Sequence, residues 1–297
     1  MTYSELWRRL TPSYDEGEAK AVVRLLLERC FGLTLADIYG GGLEAPGIDT
    51  DRLEQLMRRL EQSEPVQYVI GEEQFGGRWF RVTPAVLIPR PETQELCEWC
   101  LGSLFSWRGR GARPHILDIG TGSGCIAITL AAEVAEARVT AWDISEEALT
   151  IARENAQHLG AQVTFEQVDI LAHAQSSLQS KAAEPSAKFK AQSPRYDIII
   201  SNPPYIAKRE AEQMTGNVLD WEPHGALFVP DDDPLLFYRA IAHLALSALN
   251  PQGLLFLEIN PLYHDELMAM LRDMGFADVE TRNDQFNKQR MIKVVRQ

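Results

Sequence analysis

Two adjacent prolines, Pro203 and Pro204, follow the run Asp197-Ile198-Ile199-Ile200-Ser201, and they fix where this chain must leave a sheet. A continuous apolar run of this kind reads as a strand of a parallel sheet, buried on both faces. Proline lacks the N–H that a strand ladder needs, so the strand ends abruptly. Asn202-Pro203-Pro204-Tyr205 then lies just past a strand's carboxyl end, where open α/β sheets bind ligands. Proline also restricts the residue before it, which holds Asn202 stiffly. A rigid amide, the Pro203 carbonyl and the face of Tyr205 suit a planar –NH2 group: two acceptors for its hydrogens and a ring to pack against it. The plainer alternative is a Pro-Pro turn that closes a core strand. The rest of the chain decides between them.

That strand belongs to a series. Further strands are expected at His115–Asp118, Arg138–Asp143, Val163–Gln167 and Gly253–Ile259, with two more near Ala277–Thr281 and Met291–Val295. Helices fall between them at Glu146–Leu159, Pro234–Leu249 and Leu262–Met274. Such alternation predicts an α/β fold, a mainly parallel sheet of Rossmann-like form with helices on both faces. Too few residues separate the last two strands for a crossover, so the last strand should run antiparallel.

Ahead of this region the pattern is helical. Val22, Val23, Leu26, Leu27 and Cys30 recur near helical spacing, with Gly32 as a stop. Thr34 can cap a short helix that ends before Gly40. Leu53, Leu56, Met57 and Leu60 mark another helix that starts near Asp49 or Asp51, and Pro65–Gly71 reads as one more turn. Gly76-Gly77 sits between Gln74-Phe75 and Arg78–Val82, which reads as a hairpin. The expected organisation is a small helical bundle over 1–72, a β-hairpin connector over 73–90 and an α/β domain over 91–297. The polar segment 171–195 is expected to be a flexible insertion.

A length of 297 residues is consistent with about two domains. No apolar run approaches the roughly 20 residues of a membrane helix, and the start of the chain lacks a signal-peptide pattern. Cys30, Cys97, Cys100 and Cys125 are too few for a disulfide scaffold, which fits a reduced, cytoplasmic protein. Cys97 and Cys100 have no second pair to complete a zinc site, so no metal is expected. A net charge of −13 argues against broad binding to nucleic acid.

Asp118-Ile119-Gly120-Thr121-Gly122-Ser123-Gly124-Cys125 follows the first strand of the series. Its glycines are spaced G-x-G-x-G, which matches neither a dinucleotide fingerprint nor a P-loop. Small residues still let a ligand approach the backbone at a helix start, and Asp118 suits an ammonium group. Asp143, ending the next strand, can accept ribose hydroxyls. Asp169 can take an exocyclic adenine –NH2, with Ile170 packing on the ring. Gly120, Thr121, Gly122, Ser123 and Gly124 complete the set together with Asn202. A cationic amino acid at one end and adenosine at the other describe S-adenosylmethionine.

With these residues assembled, the chain resembles the HemK-type protein glutamine methyltransferases, the release factor glutamine methyltransferases in particular. The resemblance runs through Pro65-Val66-Gln67-Tyr68, Leu87–Thr93, Asp118–Gly124, Asp143-Ile144-Ser145 and Ser201–Ile206. It continues through Glu222-Pro223, Ala226-Leu227, Phe237-Tyr238-Arg239 and Leu257-Glu258-Ile259. It implies a seven-stranded class I methyltransferase domain that uses S-adenosylmethionine. It implies methyl transfer to the glutamine of the Gly-Gly-Gln motif in peptide chain release factors, with Asn202, Pro203, Pro204 and Tyr205 as the catalytic set. It also implies a helical N-terminal domain that helps to hold the release factor. The chain is expected to be a monomer with no direct nucleic-acid or membrane partner. It departs from the family pattern at Gln94, where an acid is usual, at Asn260, where glycine is usual, and at Phe228–Asp231, which replaces a glycine-rich turn. Competing readings are a ribosomal-protein glutamine or adenine N6 as target, a non-catalytic S-adenosylmethionine-binding docking module, and a nicotinamide-dependent oxidoreductase.

Overall fold

The structure is a computed structural model that describes residues 1–44, 48–107, 113–182, 195–214, 216–276 and 278–297. Five short helices come first: α1 (Tyr3–Leu10), α2 (Glu16–Phe31), α3 (Leu35–Tyr39), α4 (Thr50–Glu61) and α5 (Val66–Ile70). Their starts follow from capping. Thr2, Asp15, Thr34 and Asp49 each accept a hydrogen bond from a backbone N–H in the first turn of the helix they precede. Gly32 ends α2 in the left-handed conformation that glycine adopts without strain. Leu6, Leu10, Val23, Leu26, Leu27, Leu53, Met57 and Leu60 close a core of their own among these helices. Arg59 joins α4 to α5 by bonding Glu64 and the carbonyls of Tyr68 and Val69.

Strands β1 (Glu72–Phe75) and β2 (Arg78–Arg81) pair antiparallel across Gly76-Gly77. Both glycines have positive φ, +56° and +75°, as a two-residue hairpin turn requires. The hairpin is bound on both sides. Phe75 and Phe80 enter the core beneath the main sheet, while Arg29 of α2 pairs with Glu72 and lies 3.8 Å over the Trp79 ring.

The remaining elements are α6 (Pro91–Trp107), β3 (His115–Ile119), α7 (Cys125–Glu133), β4 (Arg138–Asp143), α8 (Glu146–Leu159), β5 (Val163–Gln167), α9 (Ile170–Ala182), β6 (Tyr196–Ser201), β7 (Ile206–Ala207), α10 (Gly216–Trp221), α11 (His224–Leu227), β8 (Phe228–Val229), α12 (Leu236–Ala248), β9 (Leu249–Glu258), α13 (His264–Asp273), β10 (Asp278–Asn283) and β11 (Gln289–Val295). Seven strands form one sheet in the order β10-β11-β9-β6-β3-β4-β5, and only β11 runs against the others. The expected fold and the expected antiparallel last strand are both observed. Successive side chains of the central strands go to opposite faces. Leu117, Ile199, Leu255 and Leu257 join one core, and Ile116, Ile198, Ile200 and Phe256 join the other. Because β4 and β6 flank β3, the chain turns opposite ways after β3 and β6, and a crevice opens at their carboxyl ends.

One expectation changes. The segment expected as a flexible insertion from residue 171 begins instead as helix α9. Asp169 caps it through bonds from the N–H groups of Leu171 and Ala172, and Ile170 and Ala174 are buried in the core. A local cap and one apolar turn are enough to order this start. Residues 183–194 lie outside the described residues.

Candidate active site

The loop between β3 and α7 is shaped by three glycines in the left-handed region: Gly120 (φ +72°), Gly122 (+55°) and Gly124 (+81°). At Gly124 a Cβ would also meet Ile128 at 2.8 Å, whereas none of the chain's own atoms lies within 4 Å of a Cβ at Gly122. A ligand can therefore reach the backbone at Gly122. The N–H groups of Gly120 and Thr121 both bond the Trp142 carbonyl, which pins the loop to the end of β4. Asp143 closes this corner. Its Oδ2 accepts from the Gly122 N–H (2.8 Å) and its Oδ1 from the Ser145 N–H (2.9 Å). Each oxygen keeps a lone pair for a further donor. Burial raises the Asp143 pKa, and the N–H groups of Ser145, Gly122 and Ile144 oppose the rise.

Asp118 lies beneath the loop with no exposed surface. Its Oδ2 accepts from Thr121 Oγ1 (2.6 Å) and the Ala127 N–H (3.2 Å), while Oδ1 is buried without a hydrogen-bond partner. Burial pushes its pKa up to about 7; the bonds from Thr121 and Ala127 pull it down, and the charge of Asp143 adds to the rise. A buried carboxylate oxygen without a donor is costly, and a cation held against it would remove that cost.

Asp169 stands after β5 as expected, but its Oδ1 is engaged in capping α9, and Ile170 is buried. The exposed apolar side chain in this region is Ile144, 63% accessible and next to Asp143. Sequence reading noted Ile144 without giving it a role. The signal for it is an isoleucine directly after a strand-end acid in a polar turn.

Asn202-Pro203-Pro204-Tyr205 follows β6 directly, and its loop abuts the glycine loop. Ser201 Oγ bonds the Ile119 carbonyl (2.6 Å), and a Cβ at Gly120 would stand 3.9 Å from the Asn202 carbonyl oxygen. The Asn202 amide is held by its nitrogen: Nδ2 donates to Thr93 Oγ1 at 3.0 Å. Thr93 in turn donates to Glu258 Oε2 at 2.6 Å, and Tyr205 Oη donates to Glu258 Oε1 at 2.9 Å. Glu258 is only 1% exposed. Burial raises its pKa, against Thr93, Tyr205 and Arg290, which favour the charged form. Burial, then the Glu258 charge, pushes the Tyr205 phenol well above its ordinary value. Thr93 and Glu258 had been noted in the sequence only as parts of motifs. The structure places both against the tetrad.

Beyond Tyr205 lies a cavity of about 430 Å³, lined by Tyr205, Glu210, Met214, Asn260, Leu262 and Arg290, among others. The glycine loop does not line it. Asn260 supports this side. Its Nδ2 bonds the Tyr205 carbonyl (3.1 Å) and Glu210, and its Oδ1 caps the turn at Leu262 (3.0 Å). The other departures are also tied in. Gln94 Oε1 accepts from the Gly76 N–H of the hairpin. Phe228 and Val229 pair as β8 with β7, just past the tetrad, and Asp231 accepts from the Arg209 N–H. Glu222 receives Arg90 and the Ile88 N–H. Cys97, Cys100 and Cys125 are buried, and burial raises all three thiols, Cys125 to about 12. None is poised as a reactive thiolate. Among the described residues no helix is long and apolar enough to cross a membrane.

Residues 112–292 match the methyltransferase domain family, and residues 5–71 match the PrmC N-terminal domain. The chain is 44% identical over 280 residues to the release factor glutamine methyltransferase of Bacteroides thetaiotaomicron, covering 94% of this chain and 93% of the relative. It is 37% identical over 286 residues to the protein of the same name from Flavobacterium psychrophilum, covering 96% and 94%. Among solved structures, the hMettl16 catalytic domain in complex with the MAT2A 3'UTR hairpin 6 aligns with a TM-score of 0.51 at 14% identity, over 85% of this chain and 93% of that one. That likeness concerns the fold.

Proposed function

This chain belongs to the release factor glutamine methyltransferase family, and from that premise we propose that it methylates the side-chain nitrogen of the Gly-Gly-Gln glutamine in peptide chain release factors, in the cytoplasm, with S-adenosylmethionine as donor. The observation that carries the site assignment is the Asn202 amide, held by its nitrogen beside the glycine loop, with no donor on its Oδ1 among the described residues. The donor set suits the cofactor. Asp118 Oδ1 takes an ammonium group, the open side of Gly122 admits close contact, Asp143 takes ribose hydroxyls, and Ile144 offers an apolar face to the base. Bound there, S-adenosylmethionine supplies an electrophilic methyl group on a sulfonium.

The chain's own residues do the rest. A glutamine nitrogen is a poor nucleophile, because its lone pair is delocalised into the carbonyl. Asn202 Oδ1 and the Pro203 carbonyl accept its two hydrogens. They orient the nitrogen and favour the positive charge that develops on it. Pro204 stiffens the loop, and the Tyr205 ring, anchored through its hydroxyl to Glu258, packs on the amide plane. In-line placement supplies much of the remaining rate, and the surplus proton passes to water after transfer. The cavity beyond Tyr205 receives the residues that flank the glutamine, and the N-terminal bundle supplies contacts remote from it.

The test is methyl transfer to release factor, ribosomal protein and DNA, with the product mapped by mass spectrometry. Transfer to the release factor glutamine is expected. Asn202→Ala should lose about 10²–10³-fold in kcat, while its cofactor affinity falls much less. Near-normal turnover in that variant would overturn the amide clamp.

A further inference from the structure

We infer that Glu258 is a positioning residue: through Thr93 it fixes which end of the Asn202 amide faces the substrate. The inference rests on the reading of Asn202 as the amide clamp. The two ends of a primary amide are nearly equal in size, so shape alone does not choose between them. A half-turn about the last side-chain bond would exchange the acceptor for a donor and present hydrogens to the hydrogens of the substrate. Something must set the polarity, and the hydrogen-bond chain does so.

An ionised carboxylate only accepts. Glu258 accepts the single hydroxyl hydrogen of Thr93 at 2.6 Å and that of Tyr205 at 2.9 Å. Having given its hydrogen away, Thr93 Oγ1 can only accept, and it accepts from Asn202 Nδ2 at 3.0 Å. The opposite amide orientation would set Asn202 Oδ1 against an oxygen with no hydrogen left to offer. One buried carboxylate thus orients the clamp on one side and the Tyr205 ring on the other. Burial strengthens the preference, because Glu258, at 1% exposure, has almost no water to replace either donor.

Two substitutions at constant shape test this. Thr93→Val removes the link. Glu258→Gln can reverse it, since a glutamine amide can donate to Thr93 and free the Thr93 hydrogen to bond Asn202 Oδ1. Each should lower kcat on the order of 10²-fold, the scale of a misplaced reacting group. KM for release factor and the cofactor dissociation constant should stay near wild type. Thr93→Ser, which keeps the hydroxyl, should recover most of the turnover. In an Asn202→Ala background, Thr93→Val should cost nothing further, because Thr93 acts through Asn202. Wild-type kcat in Thr93→Val, or losses that add in the double variant, would overturn the inference. If Asn202→Ala is inactive while Thr93→Val is normal, only this inference fails; if Asn202→Ala is itself normal, the clamp reading fails. Should Glu258→Gln not fold, the Thr93 pair decides alone.

Discussion

Asp118 and Glu258 are both buried acids beside the crevice, yet their surroundings treat them differently. Glu258 has a hydroxyl donor on each oxygen, whereas Asp118 keeps one oxygen without any. The Asp118 pKa of about 7 has a consequence whose sign can be worked out. Below that pH Asp118 is mostly protonated in the free protein, so a cofactor ammonium bound against it, as proposed, must displace that proton. Affinity for S-adenosylmethionine should therefore rise with pH up to about 7, then level until the ligand's own amine begins to lose its proton near pH 8. Titration calorimetry in buffers of different ionisation enthalpy at pH 6 should detect a released proton. An affinity that is flat from pH 5 to 7 would remove Asp118 from the ammonium site. Asp118, Asp143 and Asn202 were readable as candidates because each stands at or beside the carboxyl end of a strand: Gly120 marks the stop after Asp118, Pro203 the stop after Asn202, and the Ser145 helix cap the stop after Asp143. Thr93 and Glu258 were not. They lie 165 positions apart in the chain, Thr93 lies 109 from Asn202, and only the packing of α6 against β9 brings them together.

At the scale of elements, one side chain joins three of them. Asn155 on α8 accepts from the Arg81 N–H (2.7 Å) and donates to the carbonyls of Arg81 (3.0 Å) and Ser123 (2.8 Å). The hairpin strand β2 is thereby coupled to the glycine loop. Asn155→Ala should destabilise the protein by about 1–3 kcal/mol, as expected when buried partners lose their bonds. Urea denaturation measures this. Cofactor affinity should fall with it, because the loop loses a support; unchanged affinity would mean that the loop holds its shape without α8. Elements of this kind were legible where a periodic pattern is long. The seven strands and helix α8 fall where alternation and helical spacing put them. The start of α9 was not legible, because one cap and one apolar turn are too short to stand out in a polar segment.

Across the whole molecule, the proposed amide clamp must still select one protein. The tetrad touches few atoms, so selectivity must come from contacts made elsewhere and spent on positioning. The N-terminal bundle is held to the hairpin by Arg29, through its ion pair with Glu72 and its stacking on Trp79. The hairpin in turn reaches the sheet core through Phe75 and Phe80. If the bundle docks the release factor, its angle matters. Arg29→Ala with Trp79→Ala should raise KM for intact release factor, while activity on a short Gly-Gly-Gln peptide and cofactor affinity change little. The quantity to compare is kcat/KM for the factor relative to the peptide. A ratio that is unaffected by loosening this joint would leave the bundle as a stabilising appendage.

The buried cysteines give the molecule a built-in clock. Cys97 and Cys100 on α6 have almost no exposed surface and Cys125 at the head of α7 has little, and burial raises all three thiols, so an alkylating reagent reaches them efficiently only when these helices lift from the sheet. Cys30 in the bundle is more accessible and should react first. Of the three slow sites, Cys125 adjoins Gly124 in the glycine loop, so its labelling rate times the opening of that loop. Saturating S-adenosylmethionine should slow alkylation at Cys125 and leave Cys30 unchanged, as peptide mass mapping over a time course would read. Equal protection at both would instead mean that the ligand tightens the whole chain.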